Sequence, residues 1–211
     1  MKIIFFGKGK RGLVCLEKLL SEGENVLLIV NQKNDSFAPS FEKIALQSKI
    51  ESYCPENPNT PSALGKLGSF DADIFVLAGY GLILGKKCLS LPKMHCINLH
   101  GGKLPEFRGS SPMNWALLKG EKEIGISIIE VEAGIDTGDV LAESFQRIDS
   151  DTPIGALHQW ANEQFPELLN DVLKKIKAGT LASKEQDHSK SSYYPRRFPE
   201  DGFILWDQIN C

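Results

Sequence analysis

The stretch Lys2–Val30, KIIFFGKGKRGLVCLEKLLSEGENVLLIV, decides the fold class. Lys2–Phe6 is a short apolar run that ends in glycine, and Val26–Val30 is a second one. Between them Leu13–Leu20 carries apolar residues at helical spacing. A strand without polar alternation has to be covered on both faces, so strand–helix–strand of this kind predicts a parallel sheet clothed by helices. The alternation continues outward. Phe41–Lys49 predicts a helix, Ile50–Cys54 a weak strand, Ser62–Leu67 a helix after a Pro-rich turn, and Asp73–Ala78 and Cys96–Leu99 further strands. Pro112–Leu118 reads as a helix. Ile124–Val131 and Asp139–Ile148 read as strands joined by Glu132–Gly138, a loop too short for a crossover helix, so this pair is expected to be antiparallel. Thr152–Lys177, with its Thr-Pro start and Gly179 stop, predicts a long helix, and residues 180–192 are polar and loop-like.

Composition narrows the function classes. The 42% hydrophobic and 24% charged residues are those of a globular chain, and 211 residues can enclose one large core. A net charge of -3 predicts no broad basic surface for a nucleic-acid backbone. The five cysteines are irregularly spaced and form no C-x-x-C pair, which argues against a disulfide framework or a zinc site and for a reducing compartment. The apolar run at the N-terminus is too short for a signal peptide or a membrane span. The expectation is a cytoplasmic protein with no metal and no membrane insertion.

Three segments carry candidate chemistry. Gly7-Lys8-Gly9-Lys10-Arg11-Gly12 has the spacing G-x-G-x-x-G between a strand and a helix, which in a dinucleotide fold cradles a pyrophosphate. The acidic residue expected after the second strand is replaced by Asn31 and Gln32, so a tight structural turn stands beside that reading. Ile97-Asn98-Leu99-His100-Gly101-Gly102 ends a strand and opens a glycine-rich loop, where ligands of open parallel sheets bind. Asn98 and His100 are two apart and can share one side of an extended backbone. One brings an amide donor, the other an imidazole that exchanges protons near neutral pH. Ala133-Gly134-Ile135-Asp136-Thr137-Gly138-Asp139 taken alone is a hairpin turn, since Asp and Gly favour turns. Beside His100, its carboxylate gains a second reading as the group that orients the ring.

Taken together, Asn98-x-His100, Leu104-Pro-x-x-Arg108-Gly and Gly134-Ile-Asp136-Thr-Gly138 resemble the folate-dependent formyltransferases. Ala78-Gly-Tyr80-Gly81-Leu82-Ile83-Leu84, Ser111-Pro-Met-Asn-Trp115 and the tail with Tyr194-Pro195 and Glu200-Asp-Gly202 extend the resemblance through most of the chain. The resemblance implies an α/β, Rossmann-like catalytic domain over residues 1–180, followed by a tail, 181–211, that packs on or near the substrate cleft. It implies N10-formyltetrahydrofolate as formyl donor, without NAD, and Asn98, His100 and Asp136 as the catalytic set. It lays the pterin against backbone at Tyr80, Gly81, Leu82, Ile83 and Leu84 and at Glu132, Ala133, Gly134 and Ile135. Gly102, Lys103, Leu104 and Pro105 form another ligand-lining stretch.

Three branches of that family compete for the acceptor amine. Methionyl-tRNA formyltransferases carry an additional C-terminal domain for tRNA, and this mildly acidic chain stops at Cys211, so tRNA is disfavoured. Glycinamide ribonucleotide formyltransferases differ in the loop after the histidine. Leu99-His-Gly-Gly-Lys103-Leu-Pro-x-Phe107-Arg-Gly-Ser110-Ser-Pro-Met-Asn114-Trp115 is similar to the nucleotide-sugar N-formyltransferases. That branch implies a nucleotide-linked amino-deoxy sugar destined for a surface polysaccharide such as lipopolysaccharide O-antigen. Lys8, Lys10, Arg11, Lys103 and Arg108 are candidates to meet its diphosphate, with Ser110 and Trp115 as further acceptor-binding candidates. Tyr193, Tyr194 and Trp206 either stack on a base or pack beneath the tail. His95, His158 and His188 read as structural or exposed. A homodimer and a catalytically silent folate- or nucleotide-binding module both remain open.

Overall fold

The computed structural model describes residues 1–203 of the chain. Its elements run β1 (Lys2–Gly7), α1 (Gly9–Ser21), β2 (Asn25–Val30), α2 (Ala38–Ser48), β3 (Glu51–Tyr53), α3 (Pro61–Gly68), β4 (Ile74–Ala78), α4 (Lys86–Leu89), β5 (His95–His100), β6 (Arg108–Gly109), α5 (Pro112–Leu118), β7 (Glu123–Glu130), β8 (Val140–Arg147), α6 (Ile154–Ala178) and β9 (Tyr193–Tyr194). The predicted helices and strands are all present, with ends shifted by a few residues. The pairing of β6 with β9 had no counterpart in the sequence pattern, because two-residue strands carry no period.

Seven strands form one sheet in the order β3-β2-β1-β4-β5-β7-β8. The first five are mutually parallel, and β7 joins β5 antiparallel, as does β8 to β7. This is a Rossmann-like α/β fold with an antiparallel pair at one edge. Alternate residues of β1 explain the two-sided cover. Ile3 and Phe5 enter the core formed with Leu16 of α1 and Phe165 and Leu169 of α6. Ile4 and Phe6 enter the opposite core with Leu28, Phe75 and Tyr80. Each fully buried side chain of this size contributes about 1.5–3 kcal/mol. The 25-residue α6 presents Leu157, Ala161, Phe165, Leu169, Leu173 and Ile176 as a buried stripe at helical spacing, and ends at Gly179 in the left-handed conformation.

The glycine-rich turn after β1 is satisfied from within. Lys8 N–H donates to Ala78 O at 3.1 Å. Gly9 N–H donates to the Asp35 carboxylate at 2.8 Å, and Phe37 N–H donates to the same group at 3.1 Å. An internal anion thus occupies the start of α1, the position a pyrophosphate takes in a dinucleotide fold. Gly12 is needed for close packing, since a Cβ there would lie 2.9 Å from Ala78 O. The tight-turn alternative is the one the structure bears out.

Among the described residues no helix is long and apolar enough to cross a membrane, and no cluster of His, Cys, Asp or Glu is arranged to hold a metal ion.

Candidate functional site

The site forms where β4 and β5 end and the β7–β8 loop folds back over them. Asn98 and His100 lie two apart on β5, so the pleat sends both to one face. Opposite them stands Asp136. Asn98 Nδ2 is 3.5 Å from Asp136 Oδ1, a long and weak contact. His100 Nδ1 is 3.4 Å from Asp136 Oδ2. Gly109 N–H donates to that same Oδ2 at 2.9 Å. The imidazole is nearly enclosed, and its Nε2 lies 2.6 Å from Phe107 O. A carbonyl oxygen only accepts, so Nε2 carries hydrogen and Nδ1 is the nitrogen that faces Asp136. His100 therefore stands behind the carboxylate rather than in the open cleft.

Asp136 adopts a left-handed backbone, with φ 53°. For a residue with a Cβ this costs about 1–3 kcal/mol, and the surroundings must hold it. Gln186 does so by donating from Nε2 to Asp136 O at 2.9 Å and to Gly138 O at 2.6 Å.

Asn98 and Asp136 open onto a cavity of about 190 Å³. Its walls include Leu77, Tyr80, Leu82, Ile83, Leu84, Ile129 and Val131, and its rim is Glu132, Ala133, Gly134, Ile135 and Thr137. Eight of the sequence-identified donor-binding residues thus meet in one cavity. Gly81 stands outside the lining and donates its N–H to Gln32 at 3.2 Å. Tyr80 is buried, and its hydroxyl has no hydrogen-bond partner among the described residues. Burial raises its pKa, so the neutral phenol is the form present.

Gly102–Pro105 is not brought to this cavity. Leu104 is buried against Ile129 and Val140, and Lys103 pairs with Glu123 at 3.4 Å. Gly102 O accepts a hydrogen bond from the buried Ser127 hydroxyl at 3.0 Å. Lys103, Leu104 and Pro105 line a separate cavity of about 250 Å³, shared with Val140, Phe145 and Gln186.

The residues assigned to the acceptor separate into two groups. Lys8, Lys10 and Ser110 are exposed or half-exposed. Arg11 lies beside Gly101 in a cavity of about 140 Å³ shared with Ser111, Asn114 and His158. Its guanidinium rests 4.8 Å above the Phe165 ring, and its Nε is buried without a partner among the described residues. Burial, and secondarily the Arg11 charge, lower the His158 pKa. Arg108, by contrast, is turned inward and fully engaged. Its guanidinium donates to Gln186 Oε1 at 2.8 and 3.1 Å and to Tyr193 Oη at 3.1 Å, and it meets His188 Nδ1 at 2.9 Å. Buried and with every nitrogen engaged, it is a structural latch turned away from solvent. Trp115 Nε1–H donates to Pro195 O at 2.9 Å, and the indole stacks on Tyr194. Tyr194 also stacks on Phe107 and so packs against the body of the protein, whereas Tyr193 is exposed and meets Arg108 through its hydroxyl. Trp206 lies outside the described residues.

Gln186, Gly109 and Phe107 are parts of the site that sequence reasoning missed. Gln186 sits in a polar loop, and the other two contribute backbone atoms, which leave no trace in residue type. A larger groove, about 440 Å³, lies on the far side of Glu130. There Glu130 accepts from Cys96 N–H and pairs with His95, both at 3.1 Å. Neither His100 nor Asn98 borders that groove.

The sequence profile described as formyl transferase matches residues 1–173. Methionyl-tRNA formyltransferase of Caldanaerobacter subterraneus subsp. tengcongensis is 35% identical over 220 residues, spanning 100% of this chain and 71% of that protein. The enzyme of the same description from Ruminiclostridium cellulolyticum is 36% identical over 215 residues, spanning 99% and 69%. Among solved structures, the sugar 3N-formyl transferase WlaRD, in the presence of dTDP and 5-N-formyl-THF, superposes with a TM-score of 0.75 at 20% identity, covering 100% of this chain and 73% of that one. The N-formyltransferase of Helicobacter canadensis, complexed with folinic acid and dTDP-3-aminofucose, gives 0.73 at 20% identity, covering 92% and 71%. At that identity these likenesses concern the fold.

Proposed function

This chain belongs to the folate-dependent formyltransferase family, and from that premise we propose that it transfers a formyl group from N10-formyltetrahydrofolate to the amine of a nucleotide-linked amino-deoxy sugar. The observation that carries the reading is the meeting of Asn98, His100 and Asp136 at one end of the cavity walled by Tyr80, Leu82–Leu84 and Glu132–Ile135. Apolar walls with the polar residues Glu132, Asp136 and Thr137 at the rim suit a bicyclic heteroaromatic ring. That chemistry supports a folate donor there.

In the reaction the acceptor nitrogen bonds to the formyl carbon as the bond from that carbon to N10 breaks, and one proton leaves the amine while another joins N10. Asn98 Nδ2, held only weakly by Asp136, is the free donor for the oxygen on which negative charge develops. One such donor is worth about 3 kcal/mol. Asp136 Oδ1, facing the cavity, accepts the amine proton. His100 keeps the other carboxylate oxygen in place and shares the proton through Nδ1. Residues 181–203 close the acceptor side, with Tyr193 and Tyr194 against β6.

Support for a phosphorylated acceptor comes from Arg11, whose buried Nε lacks a partner and whose cavity adjoins Gly101 next to His100. A second reading, methionyl-tRNA as acceptor, is favoured by a specific observation: relatives 35% and 36% identical across almost the whole chain carry that description. An acceptor panel separates the two. The protein is incubated with N10-formyltetrahydrofolate and dTDP-, UDP- and GDP-linked amino sugars, glycinamide ribonucleotide, or charged initiator tRNA, and formyl adducts are read by mass spectrometry. Turnover of an amino sugar is expected. Turnover of the tRNA alone establishes the second reading, and turnover of no amine leaves a silent binding module.

A further inference from the structure

The polar tail loop reaches the site through one side chain. Gln186 is buried, and all of its hydrogen-bonding capacity is directed at two elements. Its Oε1 accepts twice from Arg108, at 2.8 and 3.1 Å. Its Nε2 donates to Asp136 O and Gly138 O, at 2.9 and 2.6 Å. Arg108 and Gly109 are adjacent on β6, and Gly109 N–H holds the Asp136 carboxylate at 2.9 Å. Asp136 is thus gripped at both ends of one residue. Its backbone is gripped by Gln186, and its carboxylate by the neighbour of the arginine on which Gln186 rests. The grip matters because φ 53° at Asp136 is a sparsely populated conformation, tolerated by aspartate better than by most residues but held here by its surroundings.

We propose that Gln186 is a positioning residue for formyl transfer: seated on Arg108, it holds the Asp136–Gly138 carbonyls and thereby sets the carboxylate against Asn98 and His100. This rests on Asp136 being the proton acceptor. Gln186 does not itself line the donor cavity and reaches it only through Asp136, so its effect falls on the reaction rate rather than on donor affinity. The physical reason is distance. A shift of the carboxylate by about 1 Å is enough to cost on the order of 100-fold in rate, because proton transfer and oxyanion contacts depend steeply on geometry.

The test is a pair of substitutions at one position. Gln186→Glu keeps acceptor oxygens for Arg108 but removes both donated hydrogen bonds and turns a carboxylate toward two carbonyls. Gln186→Met removes both sets. Expected is a fall in kcat of about 100-fold for Gln186→Glu, with KM for N10-formyltetrahydrofolate within about twofold of the parent. If Gln186 only anchors Arg108, Gln186→Glu retains the parent kcat, and the proposal is overturned. The reading of Asp136 is tested separately through Asp136→Asn, alone and combined with Gln186→Met, by single-turnover mass spectrometry. Should Asp136→Asn act at the parent rate, Asp136 is not the proton acceptor and that underlying reading is the one that fails. When Asp136→Asn is slow, a Gln186 acting through Asp136 adds little further loss in the double variant. Losses that multiply in full assign Gln186 to general stability instead and overturn the proposal.

Discussion

The Gly109 backbone N–H donates to Asp136 Oδ2 at 2.9 Å, so a two-residue strand decides where the site's carboxylate stands. Gly109 has φ 93°, and a Cβ there would run into the backbone oxygen of Tyr194. Gly109→Ala must either part β6 from β9 or turn the N–H away from Asp136. Expected is a drop in kcat of about 100-fold with a folded protein that melts earlier, by about 1–3 kcal/mol. Steady-state kinetics and calorimetry check it; a folded variant at the parent rate would show that β6 does not set the carboxylate.

Asn98→Ala removes the amide that faces the cavity beside Asp136. The expected loss is about 100- to 1,000-fold in kcat, as for other oxyanion donors. His100→Ala takes away the group behind the carboxylate and is expected to slow turnover comparably while donor binding persists. Donor affinity is read by fluorescence titration and turnover by mass spectrometry. Near-normal turnover in His100→Ala is the outcome the proposed site does not survive.

Burial raises the Glu130 pKa above its ordinary value, only partly offset by Cys96 N–H and His95. The folded state therefore holds this proton more tightly than the unfolded state. Its contribution to stability is present below the unfolded pKa and is lost as pH rises through the folded one. Gln at this position keeps an acceptor for Cys96 N–H and has nothing to ionise. The melting temperature of Glu130→Gln relative to the parent is expected to improve between about pH 4 and neutrality. Thermal scans across that range that show no trend, or the opposite one, contradict it.

The thiols at Cys15, Cys88 and Cys96 are buried, and burial pushes Cys15 up to about 12 and Cys88 up to about 11. Cys54 is exposed. Under mild alkylation of the folded protein Cys54 is expected to be modified first among these four, since both access and thiolate formation favour it. Peptide mass spectrometry after timed iodoacetamide treatment gives the order.

The elements were legible where a period exists. Continuous apolar runs such as Phe5–Phe6 and Val76–Leu77 announced strands covered on both faces, and the stripe from Leu157 to Ile176 announced α6. Asn98 and His100 could be paired as well, because a strand sends alternate residues to one side. Asp136 could not, since a turn rich in Gly and Asp looks the same whether or not a histidine waits opposite. Resemblance pointed to it, and the fold brings its carboxylate to 3.4 Å from His100.

Arg108 shows the boundary between the two kinds of knowledge. Its charge, met in the sequence beside a glycine-rich loop, points to a phosphate. Its place in the fold points to Gln186, Tyr193 and His188, far along the chain. Local periodicity in the chain determined the α/β class and the order of the elements, because those depend on neighbours in sequence, while the folate donor was implied by resemblance. The grip on Asp136, the internal capping of α1 by Asp35 and the withdrawal of Arg108 were decided only in three dimensions, because hydrogen-bond partners are chosen by distance in space.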